Sequence, residues 1–192
     1  ATVHSRLTTA PAPNIMIAGG LGCFAPRKPE LENLERFEDH GIDYIIKDPE
    51  KFRDKRVVIA GGGDSALDWS IFLADVASEV TLVHRRTAFR GALDSVEKVE
   101  NLDKSGGIKL ITEAQISALD GDNELNKVTV TENNGTVTEI EADYFIPLFG
   151  LSPKLGPIKE WGLDLGKEAI LVNTETYSTN VPGIFAVGDI NQ

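Results

Sequence analysis

A single cysteine, Cys23, leaves this chain without the means to form an internal disulfide or a four-cysteine zinc site. Methionine is equally scarce: Met16 is the only one and the chain begins at Ala1, which predicts a processed product or a piece of a longer protein. No apolar run approaches the roughly 20 residues of a helical membrane span. No cationic segment followed by an apolar one opens the chain as a secretory signal would, so the expected compartment is the cytoplasm. Positive charge is also in short supply, with 19 Lys+Arg against 30 Asp+Glu and a formal net charge of −11. A nucleic-acid partner needs a basic face, and this balance argues against one. His4 and His40 lie in polar stretches with no partner at ligand spacing, which argues against a metal site. Ser65 and Ser70 have no histidine in register to activate them, which argues against nucleophilic catalysis.

What is present is an ordinary globular composition: 192 residues, 41% hydrophobic and 26% charged, enough to bury a core without staples. Residues 1–10 read as a short irregular or hairpin segment, and residues 14–18 as a buried strand running into glycines. Residues 26–50 are turn-rich and acidic and read as a solvated connector. The middle is more regular. Residues 56–60 form a β-branched run that ends in Gly61, Gly62 and Gly63. Ala66, Trp69, Ser70, Leu73, Ala74 and Ala77 then follow one helical stripe, while Leu67, Ile71 and Phe72 make the other side apolar, predicting a helix wedged between two layers. Residues 79–83 are the next strand, so strand, glycine turn, helix and strand make a βαβ unit. A helix around residues 96–102, a third parallel strand at 108–111, a hairpin about Asn133-Asn134-Gly135, and a strand at 144–148 with Pro147 near an end or edge are expected to fit one α/β sheet. Residues 169–172 and 183–189 close the pattern.

Gly61-Gly62-Gly63-Asp64-Ser65-Ala66 matches G-x-G-x-x-A with a strand before it and a helix after it. In that context Gly61 permits a tight turn and Gly63 lets backbone N–H groups approach a pyrophosphate. Ala66 lets helix and strand pack closely, and the helix N-terminus faces the phosphates. The alternative is a plain glycine-rich turn. An NAD site would carry an acid at the end of the second strand, whereas His84, Arg85, Arg86 and Arg90 stand there. Guanidinium groups suit a 2′-phosphate, so the cofactor expected is NADP(H), the alternative being a solvated basic turn. Gly188-Asp189 ends another apolar run, where the aspartate reads equally as a turn or helix cap. A second G-x-G-x-x-A, from Gly20 to Ala25, runs into Pro26 and Pro29 and reads as a decoy.

The strings GGGDSALDW and VTLVHRRTAFR, with Phe149 to Pro153, Leu155 to Leu163 and Gly183 to Asp189, closely resemble the thioredoxin-reductase-like flavoproteins. The likeness runs from about Ile15 to the end and is strongest to the bacterial ferredoxin–NADP reductases of that fold. It implies a Rossmann-like three-layer FAD/NAD(P)-binding α/β fold with a parallel sheet and an antiparallel hairpin or meander. By this resemblance Gly61, Gly62, Gly63, Asp64, Ser65 and Ala66 hold the pyrophosphate side of NADP(H) and His84, Arg85, Arg86 and Arg90 surround the 2′-phosphate. Gly150 lies near the nicotinamide, and Gly19, Gly188 and Asp189 meet FAD in the full-length parent. Residues 1–25 are then the end of the first FAD-domain segment and 26–54 a connector, with 55–168 the NADPH-binding domain and 169–192 the return into the FAD domain. The implied parent passes hydride from NADPH to flavin and single electrons to ferredoxin or flavodoxin, as a homodimer with no membrane or nucleic-acid partner. The cofactors carry that chemistry, so no catalytic side chain and no metal are expected here. Other readings are another flavin oxidoreductase of the same fold or a non-catalytic NADP(H)-sensing module. Two features depart from the family. The N-terminal FAD fingerprint is missing, as expected for a piece that binds nucleotide without turnover, and no Cys-x-x-Cys lies between Tyr44 and Arg56.

A dithiol relay needs two thiols close together, and this chain supplies one. Cys23→Ser in the full-length protein is therefore expected to leave electron transfer to its acceptor almost intact. A large fall in steady-state rate at normal flavin content would give Cys23 a redox role.

Overall fold

The computed structural model describes residues 2–4, 9–19, 24–153, 155–166 and 169–191; Cys23 and most of the second glycine motif fall outside them. The chain divides into two compact units, residues 26–150 and residues 1–25 with 151–192.

In the 26–150 unit, four strands build a parallel sheet: β5 (Arg56–Gly61), β6 (Glu79–Val83), β7 (Lys109–Ile111) and β11 (Tyr144–Leu148), in the order β11-β5-β6-β7. Both faces of this sheet are covered, and its sequence shows it. Val57 and Ile59 of β5, Leu82 of β6 and Ile146 of β11 pack on one side with Ala66, Leu67 and Leu73 of α2 (Asp64–Leu73) and Val99 of α3 (Leu93–Ser105). Val58, Ala60, Val83 and Phe145, the alternate residues, pack on the other side with Val128, Val130, Ala114 and Leu119. That second face belongs to a separate antiparallel meander, β8 (Ala114–Asp120), β9 (Lys127–Glu132) and β10 (Val137–Glu141). The order of layers is therefore helices, parallel sheet, meander, and near-continuous apolar strands are what a doubly covered sheet requires. The expectation of one continuous sheet is corrected here. β9 and β10 turn at Gly135, where φ is +90°, as the Asn-Asn-Gly signal predicts. Their partner β8 belongs to neither the signal nor the parallel sheet.

Two further expectations change. α2 is not wedged between layers: Leu67 is buried, but Phe72 is 51% exposed and the helix lies on one outer layer. The acidic stretch after Pro26 is not simply solvated. Leu34 and Phe37 of α1 (Leu34–Phe37) and Ile42 are buried against the meander side, and Phe52 of the 3-10 turn Pro49–Phe52 is buried on the helix side. Ile42 also bridges to Phe145 on the outer edge of β11, whose Phe145 N–H donates to the Gly41 carbonyl at 2.7 Å. Pro147 sits two residues further along that edge strand, where no N–H is missed.

The 1–25 and 151–192 unit has its own small core, Ile17, Leu155, Leu163, Ile170, Ile184, Ala186 and Ile190. β3 (Ile15–Ile17) pairs in parallel with β13 (Ile184–Ala186), β1 (Thr2–His4) pairs antiparallel with β2 (Thr9–Pro11), and β4 (Phe24–Pro26) pairs with β12 (Leu151–Pro153). Residues 169–172 contribute only bridges at Ile170 rather than a strand. Among the described residues no helix is long and apolar enough to cross a membrane.

At the amino ends of β5 and β11, Arg56 grips Asp143. Its Nη2 donates to Oδ1 at 2.9 Å, its backbone N–H to Oδ2 at 2.8 Å, and the Asp143 N–H donates back to the Arg56 carbonyl at 2.9 Å. The guanidinium holds the Asp143 carboxyl below its ordinary range. A depressed folded pKa means that the stabilisation is full above the unfolded value near pH 4 and is lost as pH falls through the folded one. Asp143→Asn is thus expected to lower stability at neutral pH by about 1 kcal/mol, discounted because both side chains are about a third exposed. Urea melts from pH 7 down to about pH 3 should show the variant and the parent converging in acid; a constant gap would reject the linkage.

Candidate functional site

Strands β5, β6 and β7 proceed in one direction across the sheet and β11 lies on the far side of β5, so the order reverses between β5 and β11. A crevice outside the carboxyl ends of parallel strands is expected at such a reversal. Gly61, the last residue of β5, pairs with Leu148 there. A Cβ on Gly61 would stand 2.7 Å from Ala66 Cβ and 2.8 Å from the Leu148 carbonyl oxygen. Ala66 is itself fully buried, so small residues on both sides let α2 spring directly from the strand. Gly61 thus serves close packing rather than a left-handed turn.

Gly63 is the N-cap of α2, extended at φ −104° and ψ −179°, and a Cβ there would meet nothing within 4 Å. Its carbonyl accepts from Ala66 and Leu67 N–H at 3.0 and 3.2 Å, and no side chain caps the helix. The N–H groups of Gly63, Asp64 and Ser65 are left without an acceptor among the described residues. Uncapped donors, an open glycine and the positive end of a helix dipole fit an anionic diphosphate. Asp64 and Ser65 are exposed at this opening.

Gly62 answers to a different neighbour. A Cβ on it would lie inside the His84 ring. His84 follows β6 and is buried, 5% exposed; its ring stacks on Phe89 at 4.7 Å, and its Nε2–H donates to the Ala88 carbonyl at 3.1 Å. The segment that follows folds back over the glycine turn. Arg90 N–H donates to the Gly62 carbonyl at 2.8 Å and Ala92 N–H to Asp64 Oδ1 at 2.7 Å. This strap brings Arg85, Arg86 and Arg90 to the same edge as the glycines. All three are exposed, and none forms an ion pair or a side-chain hydrogen bond among the described residues. The His84 side chain is committed to the strap's own backbone, and the Asp64 carboxylate to Ala92. Phe89 and Ala92, which complete these contacts, were not among the residues expected from the sequence. The aromatic five positions after His84 was the available signal for Phe89; the Ala92 contact, a backbone N–H, left none.

Gly150 lies just beyond β11, at the same carboxyl edge, and its carbonyl accepts from Arg27 N–H at 3.0 Å. In the other unit, Gly19 and Gly188 follow β3 and β13 by two residues each, and Ile17 pairs with Ala186, so both glycines stand at one end of that strand pair. Gly188 has φ +81° with open space where a Cβ would be, a conformation that favours glycine. The Asp189 carboxylate is exposed and accepts no hydrogen bond among the described residues, so the cap reading finds no contact to support it. Among the described residues no cluster of His, Cys, Asp or Glu could hold a metal ion.

The family model described as pyridine nucleotide-disulphide oxidoreductase matches residues 1–192. A protein named ferredoxin–NADP reductase from Flavobacterium johnsoniae is 65% identical over 181 residues, covering 94% of this chain and 51% of that protein. One of the same name from Pelagibacter ubique is 46% identical over 178 residues, covering 93% and 52%. The chain spans about half the length of the curated relatives it matches. Among solved structures, Lactococcus lactis thioredoxin reductase superposes with a TM-score of 0.86 at 27% identity, covering 100% of this chain and 62% of that one. The T. acidophilum thioredoxin reductase gives 0.86 at 24% identity, with the same coverage, a likeness of fold.

The two glycines of the turn should respond differently to a methyl group. Gly62→Ala is expected to cost about 1–3 kcal/mol in thermal or urea unfolding, because the His84 ring must move. Gly63→Ala should unfold within about 0.5 kcal/mol of the parent, as at a surface site, yet weaken nucleotide binding. Equal loss of stability at both positions would show that the third glycine is structural.

Proposed function

The chain belongs to the pyridine nucleotide-disulphide oxidoreductase family, and from that premise we propose that it is the NADP(H)-binding part of an FAD-dependent ferredoxin–NADP reductase. In this reading the parent passes hydride from NADPH to flavin and then single electrons to ferredoxin or flavodoxin, in the cytoplasm and as a homodimer. The observation that carries it is the strap: three exposed arginines with no acidic partner among the described residues, folded against a glycine turn at the reversal of strand order. The relatives named ferredoxin–NADP reductase support ferredoxin as the acceptor.

The division of labour follows the chain. Residues 55–168 bind NADP(H), with 26–54 leading in, and 1–25 and 169–192 belong to the FAD domain. The N–H groups of Gly63, Asp64 and Ser65 hold the diphosphate, with Gly61, Gly62 and Ala66 keeping strand, strap and helix close enough to present them. Arg85, Arg86 and Arg90 hold the 2′-phosphate as charge-assisted donors. His84 shapes the strap that carries them. Gly150 leaves room at the nicotinamide end, and Gly19, Gly188 and Asp189 meet FAD, the Asp189 carboxylate suiting a hydroxyl donor. Bound FAD supplies the hydride acceptor and the one-electron chemistry; the residues here bind, orient and discriminate. The lone cysteine gives this segment no internal disulfide to reduce, despite the disulphide in the family's description.

Arg85→Ala with Arg86→Ala tests the reading. Two partly screened charge-assisted contacts correspond to on the order of 100-fold in affinity. The double variant should weaken NADPH by roughly that factor and leave NADH little changed, and raised salt should erode the parent's preference in the same direction. Calorimetric titration of both nucleotides at two ionic strengths measures this. Equal affinity of the unaltered protein for the two nucleotides would return the arginines to ordinary surface charge.

A further inference from the structure

We propose that Asp64 is a positioning residue for nucleotide selectivity: by accepting from Ala92 N–H, its carboxylate keeps the arginine strap folded against the glycine turn. The inference rests on the NADP(H) reading above and adds a residue that acts through the strap rather than on the ligand. An aspartate in the first turn of α2 is favourable for the helix dipole but unfavourable beside N–H groups that receive a diphosphate. The diphosphate cradle alone would therefore favour a neutral residue at this position. What the carboxylate does instead is visible: Oδ1 stands 2.7 Å from Ala92 N, closing a contact between residues 28 apart.

The strap from Arg85 to Gly91 is pinned at three places along the glycine turn and α2, and in addition its Arg86 carbonyl accepts from Glu113 N–H at 3.5 Å. His84 packs its ring on Gly62 and Phe89 at the entry, and Arg90 N–H binds the Gly62 carbonyl near the end. At the exit, Asp64 holds Ala92, and one helical turn on, Asp68 Oδ1 accepts from Ser95 Oγ at 2.9 Å. Gly91 lies close against α2, where a Cβ would stand 2.5 Å from Leu67 Cδ1 and 3.0 Å from Asp64 Oδ1. Releasing the exit returns backbone freedom to a segment whose side chains are long and charged, so each arginine–phosphate contact must then repay an ordering entropy. That loss falls on the 2′-phosphate. The diphosphate donors belong to α2 and do not move with the strap. Asp64 should accordingly govern the ratio of NADP to NAD affinity more than either affinity alone.

The test is titration of NADP+ and NAD+ into the full-length flavoprotein, comparing Asp64→Ala, Asp64→Asn and Ala92→Pro. Asp64→Ala and Asp64→Asn remove the same charge, but only the asparagine keeps an acceptor for Ala92 N–H. Ala92→Pro keeps the charge and deletes the donor, and φ of −58° at Ala92 accommodates the ring. Asp64→Ala should reduce the NADP+/NAD+ preference about tenfold, almost all of it in NADP+. Asp64→Asn should recover most of the preference. Ala92→Pro should match Asp64→Ala, and the two combined should lose no more than either alone. An unchanged ratio in Asp64→Ala, or an asparagine as damaging as alanine, would overturn the proposal. Equal weakening of both nucleotides would also overturn it, by moving the role to the diphosphate cradle. Should Asp64→Ala fail to fold, Ala92→Pro decides the same question. A parent protein without NADP+ preference would instead defeat the arginine assignment on which this inference rests.

Discussion

The arrangement at the carboxyl edge depends on how closely three backbones approach where β5 ends. Gly61 touches Ala66 and the β11 backbone at Leu148, and Gly62 lies under the His84 ring, so strand, helix and strap meet at two glycines that carry no side chain of their own. This closeness lets β5 pass into α2 through Gly62 and Gly63 alone, and the first N–H groups of the helix have no side-chain cap. The strap reaches back to the same glycine, Arg90 N–H bonding the Gly62 carbonyl at 2.8 Å. Adding one methyl group at Gly62 would act on the strap and the turn together. Packing and ligand recognition are thus properties of one contact, and the glycines differ in role because their neighbours differ.

Much of this was legible as local pattern. The apolar run into three glycines, the helical stripe from Ala66 and the second strand ending in basic residues are short-range signals, and the βαβ unit they specify is present. The Asn-Asn-Gly turn placed β9 and β10, and Pro147 marked an edge strand. β8 was not legible for a physical reason. Its pairing with β9 slips between Ile116 and Ala118, so the inward residues Ala114, Ile116 and Leu119 are spaced by two and then by three, and alternation disappears at the bulge. The burial of Leu34, Phe37, Ile42 and Phe52 was hidden as well, because apolar residues scattered among acids acquire meaning only from the sheet faces they cover. At the site, charge type pointed to Arg85, Arg86 and Arg90. It also placed His84 with them, although that ring is occupied with Gly62, Phe89 and Ala88. Charge is a property of a residue type. Whether a side chain faces solvent or holds a loop is a property of the fold.

The charge distribution gives the strap its force. A chain of net charge −11 repels a dinucleotide phosphate at long range, and several basic groups of the 26–150 unit are already compensated: Arg53 by Glu50, Arg56 by Asp143, Lys51 by Asp43, Lys98 by Asp94, Lys127 by Glu139. Such pairs contribute little field beyond their own length. The strap arginines are different, since among the described residues no carboxylate neutralises them, and they stand beside a helix N-terminus of the same sign. Within a screening length of about 8 Å at physiological salt, a ligand phosphate at this edge feels the local cations more than the distant acids. The acidic surroundings then sharpen discrimination, because an anion gains only where the arginines are and is disfavoured elsewhere on the surface. In the proposed reading, a strap that drifted from the glycine turn would leave the helix N–H groups in place but carry the arginine charge away from the nucleotide's ribose. On the proposed assignment of the arginines, selectivity then depends on attachment of that segment as well as on the guanidinium groups, and the contacts at Gly62, Phe89 and Ala92 attach it.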